Sequence, residues 1–241
     1  SPGSTTTVSY VIDYSEYTNA SIMNSFELSF TAGGKQLTAP ISAFVSIGTP
    51  PSVACITPGG AGQPTGSAAC GSGGGGGGGG FTTNNWGSDW VSVQGALAQI
   101  ASTKNSSFIN RVCATSGNLQ FFRISRSVNW WGCAEPNRVY LYNGAFSGGL
   151  LTFLIAHELG HQIGGSEYFA AFKQNYRNGQ YCGENPTTYA KTYSGDTQIS
   201  EDFAESIGIF FQDHNGDRAT HPKHLRFGTA VVNGEVLSGC P

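Results

Sequence analysis

Apolar and polar residues alternate through much of the first fifty positions, as in Val8, Tyr10 and Ile12, then Phe26, Leu28 and Phe30, then Ile41, Ala43, Val45 and Ile47. A period of two belongs to strands with one covered face, so residues 1–50 are expected to form a β-rich N-terminal lobe. The rhythm stops near Thr49. Residues 51–80 are dominated by Pro, Gly, Ser and Ala and end in an unbroken glycine run at 73–80. Such a tract has no side chains to bury and reads as a connecting loop or linker; close packing of its bare backbone against a partner surface is the alternative. From residue 81 onward strands and helices are interleaved. Trp90, Val93, Leu97 and Ile100 follow helical spacing behind Ser88 or Asp89 as a cap. Residues 118–125 and 137–142 read as strands with Leu119, Phe121, Val139 and Leu141 turned to a core. Leu150, Leu151, Phe153, Leu154 and Ile155 open a buried helix that Gly164 and Gly165 would stop. Ser200 could cap a further helix running through Phe211. No repeat recurs at a period of 20 to 50 residues, which excludes a solenoid. The expected fold class is therefore α+β, with residues 81–241 as the main domain.

Composition narrows what such a domain could do. The chain has 241 residues, a formal net charge of -3 and only 11% charged residues. It offers no basic face for nucleic acid or an anionic membrane. It contains no apolar run long enough for a membrane span. Its first residues lack the basic and apolar regions of a signal peptide, so it reads as an already processed chain. Six cysteines without any Cys-x-x-Cys spacing point to an oxidised framework, and hence to a secreted or cell-surface setting. Pairing of sequence neighbours, Cys55 with Cys70, Cys113 with Cys133 and Cys182 with Cys240, is one of the possible connectivities. Asn19 and Asn105 each open an Asn-x-Ser acceptor triplet.

The chemistry concentrates in Ile155-Ala-His-Glu-Leu-Gly-His-Gln-Ile-Gly164. Residues four apart lie on one helical face, so His157 and His161 can aim two imidazoles at one cation while Glu158 reaches a water beside it. The chain holds only five histidines, so chance explains this His-Glu-x-x-His pattern poorly. Two histidines on a packed helix would be the bland explanation. The pattern implies zinc, and a catalytic zinc needs a third protein ligand and an open position.

Two residues compete for the third ligand. Glu201 lies in Ser200-Glu-Asp-Phe-Ala-Glu-Ser-Ile207, where Glu201 and Glu205 share a helical face. Glu201 could ligate the metal while Glu205 accepts a hydrogen bond from a ligating imidazole. Acidic residues favouring a helix N-terminus are the alternative use of that segment. Glu167 is the other candidate, because His157-Glu-x-x-His161-x-x-Gly164-x-x-Glu167 has metzincin spacing with Glu where those proteins carry His or Asp. Metzincins also have a methionine downstream of the helix, and the only methionine here is Met23, far upstream.

On these residues the C-terminal half resembles the zincin metallopeptidases, specifically gluzincins of the anthrax lethal factor and Pro-Pro endopeptidase type. The shared features are the His-Glu-x-x-His helix followed by Tyr193, Thr197 and Glu201-Asp-Phe-Ala-Glu205. The resemblance spans roughly residues 150–211 and leaves the first 80 residues without a counterpart. It implies a zincin-like domain over 81–241, Glu201 as third zinc ligand, Glu205 behind the ligands and Tyr193 as the group that stabilises an oxyanion. Tyr193 stands one residue further from Glu201 than is usual, which leaves Tyr189 as its substitute.

The activity expected is that of a secreted zinc metalloendopeptidase acting on a protein or peptide substrate, with Glu158 as general base. The substrate is expected to add to an exposed strand edge, for which residues 137–142 are the candidate. Trp130 and Trp131 belong either to the cleft or to the core. His214, His221 and His224 are further donors, and Asp213-His-Asn-Gly-Asp217 reads as a turn, since its glycine is misplaced for a calcium loop. A surface or filament subunit that keeps a zincin fold and zinc site is the competing class, favoured by 35 glycines and sparse charge.

Overall fold

The computed structural model describes residues 21–32, 35–46, 55–59, 86–102, 107–125 and 131–241. The glycine run, Val8 to Ile12, Trp130, Cys70, Asn19 and Asn105 lie outside them. The chain divides into two compact units, Ser1–Pro50 and Pro51–Pro241. In the first, β1 (Ser21–Ala32) and β2 (Lys35–Ser46) form an antiparallel ribbon. Its register sets Phe26 opposite Ile41, Leu28 opposite Ala39 and Phe30 opposite Leu37, so the alternation seen in the sequence is in phase across the pair.

The second unit is α+β. Its strands are β3 (Ile56–Pro58), β4 (Leu119–Ile124), β5 (Gly132–Glu135) and β6 (Arg138–Tyr142), in the sheet order β3-β4-β6-β5. The first three of that order run parallel, and β5 pairs antiparallel to β6 at the sheet's edge. A two-residue turn, Pro136-Asn137, with Asn137 at φ 63°, folds β5 back along β6. The helices are α1 (Asp89–Ser102), α2 (Ser107–Ser116), α3 (Leu151–Gln162), α4 (Glu167–Gln174), α5 (Gly195–Phe211), α6 (Asp217–Thr220) and α7 (Pro222–Asn233). A two-stranded ribbon of β7 (Tyr176–Arg177) and β8 (Gln180–Tyr181) follows α4. α3 packs on α5 and α5 on α7. Leu97, Ile100, Phe121, Leu141, Ile155, Phe203 and Phe227 share one core with them.

Three expectations are corrected. The strand at 137–142 is β6, which is paired on both sides, so it offers no free edge; among the described residues β5 is the outermost strand on that side. The helix expected from Ser200 begins five residues earlier, at Gly195 after Ser194. Ser200 is therefore not its cap, and Glu201 lies well inside the helix, away from the terminus where carboxylates are favoured for dipole reasons alone. Cys55 bonds to Cys113, not Cys70, and Cys113 therefore does not bond to Cys133. The pair Cys182–Cys240 is as expected, and no described cysteine is free.

Candidate metal centre

Helix α3 is apolar nearly all round, with Phe153, Leu154, Ile155, Ala156 and Leu159 buried, as suits a helix in the core. Among them His157 and Glu158 are only 5% and 2% exposed. Four residues of helix bring the rings of His157 and His161 together edge-on, 4.8 Å between centroids, with their Nε2 atoms 3.1 Å apart. His157, Glu158 and His161 together could hold a metal ion.

α5 supplies a third donor from across the interface. Glu201 Oε2 stands 3.3 Å from His157 Nε2 and 3.4 Å from His161 Nε2. Around a tetrahedral cation with bonds of about 2.0–2.1 Å, neighbouring donors are separated by about 3.3–3.4 Å, and the triangle of Nε2, Nε2 and Oε2 atoms comes close to that. Glu158 also has an oxygen near the group, but only Glu201 bridges both imidazoles. Glu167 opens α4 exposed to solvent and contacts neither imidazole among the described residues.

The far nitrogen of each ring has a side-chain oxygen near it. His157 Nδ1 faces Glu205 Oε1 at 3.2 Å, and His161 Nδ1 faces Ser200 Oγ at 3.4 Å. Placing the proton on each Nδ1 turns both Nε2 lone pairs toward Glu201, an arrangement that two lone pairs and a carboxylate sustain only around a positive charge. Ser200, expected only as a helix cap, is thus a residue of the site. It lies 39 residues from His161, so no local spacing could have marked it.

Glu158 differs from Glu201. Burial pushes its carboxyl up to about 7, while Glu201, despite burial, is held well below the usual carboxylate range by His161 and His157. Burial favours a neutral His157, yet Glu201 and Glu205 outweigh it and raise that imidazole well above its ordinary value. Glu158 lies against β5: a Cβ on Gly132 would fall 2.5 Å from Glu158 Oε1. Its Oε2 is buried with no hydrogen-bond partner among the described residues.

Two cavities flank the group. One, of about 230 Å³, is lined by Trp131, Gly132, Phe153, Leu154, Glu158, Tyr189 and His214, among others. The other, of about 590 Å³, is reached past His161, Ser200 and Glu201 and is walled by Thr115, Asn137, Asp196 and Thr197. β5 runs from the first cavity, at Gly132, to the second, at Ala134 and Glu135. Tyr189 lines the smaller cavity, its ring 5.9 Å from that of His157. Tyr193 stands behind it, the two hydroxyls 2.7 Å apart. Burial first, and Glu201 next, raise the Tyr189 hydroxyl well above the ordinary tyrosine value.

Of the remaining histidines, His214 faces the smaller cavity, its ring tilted against that of Phe153 with centroids 4.6 Å apart. His224 is locked between Asp202 and Glu184 at 2.7 and 2.5 Å, and His221 against Asp217 at 3.0 Å. Asp217 also accepts from Thr188 in the loop before α5, and Asp213, between α5 and α6, accepts the backbone N–H of Arg218; both carboxylates are engaged in holding α6. No protein-family model, curated protein or solved structure matches this chain.

Proposed function

We propose that this chain is an extracellular zinc metalloendopeptidase with a zincin-type domain, in which His157, His161 and Glu201 hold the metal. The observation that carries this reading is the triangle of donor atoms at 3.1, 3.3 and 3.4 Å, with the Glu158 carboxyl beside it and one of its oxygens unpartnered among the described residues. Two imidazoles and one carboxylate are a zinc donor set that leaves a position free. Zinc, when bound, supplies a Lewis acid that acidifies water and favours negative charge on a carbonyl oxygen. Glu158 accepts the proton of the attacking water and returns it to the leaving amine, helped by a carboxyl held near neutrality. Glu205 and Ser200 keep the imidazoles in the ligating tautomer. Tyr189 remains protonated because its hydroxyl is raised. Two hydroxyls 2.7 Å apart share one hydrogen bond, which leaves the pair a second proton to stabilise charge developing on the scissile carbonyl. The role that the resemblance implied for Tyr193 thus passes to Tyr189, with Tyr193 orienting it. The outer edge of β5, which pairs with no other described strand, receives the substrate backbone as an added strand.

The disulfides Cys55–Cys113 and Cys182–Cys240 are consistent with an extracellular protein, and no described helix is long and apolar enough to cross a membrane. The test is a pair of measurements on the zinc-loaded chain. Wild type is expected to cleave an unstructured protein, and Glu158→Gln is expected to keep its zinc while losing roughly 100- to 10,000-fold in rate. Zinc-replete wild type without proteolysis would instead favour the structural-subunit class.

A further inference from the structure

Gln162 closes α3 directly after His161, and its side chain is buried. Burying a primary amide is costly unless each of its donors and acceptors finds a partner. Here each one does. Nε2 donates to the Glu135 carbonyl at 3.0 Å and to the Arg138 carbonyl at 3.2 Å. Oε1 accepts the Asn137 backbone N–H at 3.0 Å and the hydroxyl of Ser116, the last residue of α2, at 3.3 Å. Turned the other way, the amide would set its oxygen on two carbonyls and its nitrogen on an N–H, so one orientation alone fits. Three of the four partners belong to Glu135-Pro136-Asn137-Arg138, the turn that joins β5 to β6. The helix that carries both imidazoles is therefore bonded, through the residue next to one of them, to the end of the strand that borders the site.

β5 meets α3 at two places, and the two contacts act differently. At Gly132 the contact is steric, because the missing side chain lets the strand lie against Glu158. Such a contact limits how near the strand comes without setting where along its length it sits against the helix. At Glu135 the contact is directional, since a hydrogen bond weakens steeply as its geometry departs from the ideal. The ladder to β6 fixes β5 within its sheet, and Gln162 fixes that part of the sheet to the helix of the two imidazoles. Gln162, Glu135 and Asn137 also line the larger cavity together with His161, Ser200 and Glu201, so this network lies beside the metal group. A peptide added to the outer edge of β5 takes its position from that strand, and a misplacement of about 1 Å is enough to cost roughly 100-fold in rate. Glu135 is three residues along β5 from Gly132, a distance of about 10 Å. A short peptide centred beside Glu158 stops before that end of the strand, and a longer one reaches it.

Resting on the metalloendopeptidase reading, we propose that Gln162 is a positioning residue: it holds β5 to α3 so that a peptide added to that strand presents its scissile bond to the metal group. The experiment uses the zinc-loaded full chain and two end-blocked peptides built around one bond that wild type cuts in casein. The longer peptide has about four residues on each side of that bond and the shorter about two, so that only the longer spans β5. Wild type is expected to show a higher kcat/KM for the longer peptide. Gln162→Leu, close in size but without the amide, is expected to lower the long-to-short ratio of kcat/KM at least roughly 10-fold without loss of bound zinc. A residue that served the fold alone would lower both peptides alike and leave the ratio where it was. Gln162→Asn keeps the amide but reaches one methylene less; it is expected to fall between wild type and Gln162→Leu, and it carries the test where the leucine variant does not fold. A ratio unchanged in the zinc-replete variants, or a wild type indifferent to peptide length, overturns the positioning role and leaves the hydrolase standing. Failure of zinc-loaded wild type to cut casein or either peptide overturns both.

Discussion

Glu201 and Glu158 occupy the same buried space yet differ in what they touch. Glu201 Oε2 lies against two imidazole nitrogens, whereas one oxygen of Glu158 has no partner among the described residues. Contacts of this kind separate a ligand from a base. Removing the ligand should empty the site: Glu201→Ala is expected to lose its zinc on dialysis, while Glu167→Ala keeps it, as read by metal analysis of the purified chains. Glu205→Gln, which alters only the support of His157, should retain zinc with affinity lowered about 10- to 100-fold. Zinc lost from Glu167→Ala and kept by Glu201→Ala would reverse the assignment. At this scale the sequence was readable where chemistry repeats along a helix. His157 and His161 are four apart, as are Glu201 and Glu205, in a chain poor in charge. Ser200 and Gly132 were not assigned to the site, and Trp131 was left between cleft and core, because they reach it only through the packing of different elements. Tyr189 and Tyr193 share one side of a loop, and only their contacts distinguish them.

The donor triangle depends on how closely α3, α5 and α7 approach. Gly160 of α3 faces Ala204 of α5, with a Cβ there only 3.1 Å from Ala204 Cα, and on the opposite side Gly228 of α7 would place its Cβ 1.8 Å from the Ser206 carbonyl oxygen. The second contact leaves no room for any side chain, so Gly228→Ala must push α7 away from α5. The cost expected is about 3 kcal/mol, or roughly 10 °C in Tm for a unit of this size. Gly160→Ala presses on backbone less severely and should cost about 1 kcal/mol. It nevertheless widens the gap between His157 and Glu201, so it is expected to weaken zinc binding more than its stability loss suggests. Melting curves together with zinc titrations check both; a Gly228→Ala chain as stable as wild type would show that the helices are not in this contact. Periodicity sufficed to find α1, α3, β4 and β6, because each has a buried face. It could not rank strands within a sheet, which is why residues 137–142 were expected at the edge that β5 occupies. Nor could it fix the start of α5, whose first turn, Gly195-Asp196-Thr197-Gln198, carries no apolar stripe.

In the second unit as a whole, cross-links and one buried charge cluster join segments distant in sequence. Six cysteines indicated oxidation but allow fifteen pairings, and the two bonds seen each span 58 residues. The charge cluster had no signature in sequence at all. His224 of α7 is fully buried between Asp202 of α5 and Glu184 of the loop leading to Tyr189. Glu184 also accepts the backbone N–H groups of Lys223 and His224, and Asp202 accepts that of Thr187. Burial alone would make His224 neutral, but the two carboxylates outweigh it and raise the imidazole to about 9 from 6.5. Between those values the folded chain holds a proton that the unfolded chain releases, so stability falls as pH rises. The contribution is complete below about 6.5 and is lost as pH passes through about 9. Its size is on the order of 3 kcal/mol, at about 1.4 kcal/mol for each tenfold gain in proton affinity on folding. Urea unfolding of the zinc-saturated chain at pH 6.5 and about 9.5 should show a decline of that order. His224→Gln should be less stable at the lower pH and nearly flat across the interval. A wild-type chain equally stable at both pH values, or a variant with the same slope, would mean that His224 is not held as a cation. The cluster also joins α5, which carries Glu201, to the loop that carries Tyr189, so the same titration is expected to loosen the proposed site before it unfolds the molecule, read as weaker zinc binding at about pH 9.5 than at 6.5 while the chain is still folded.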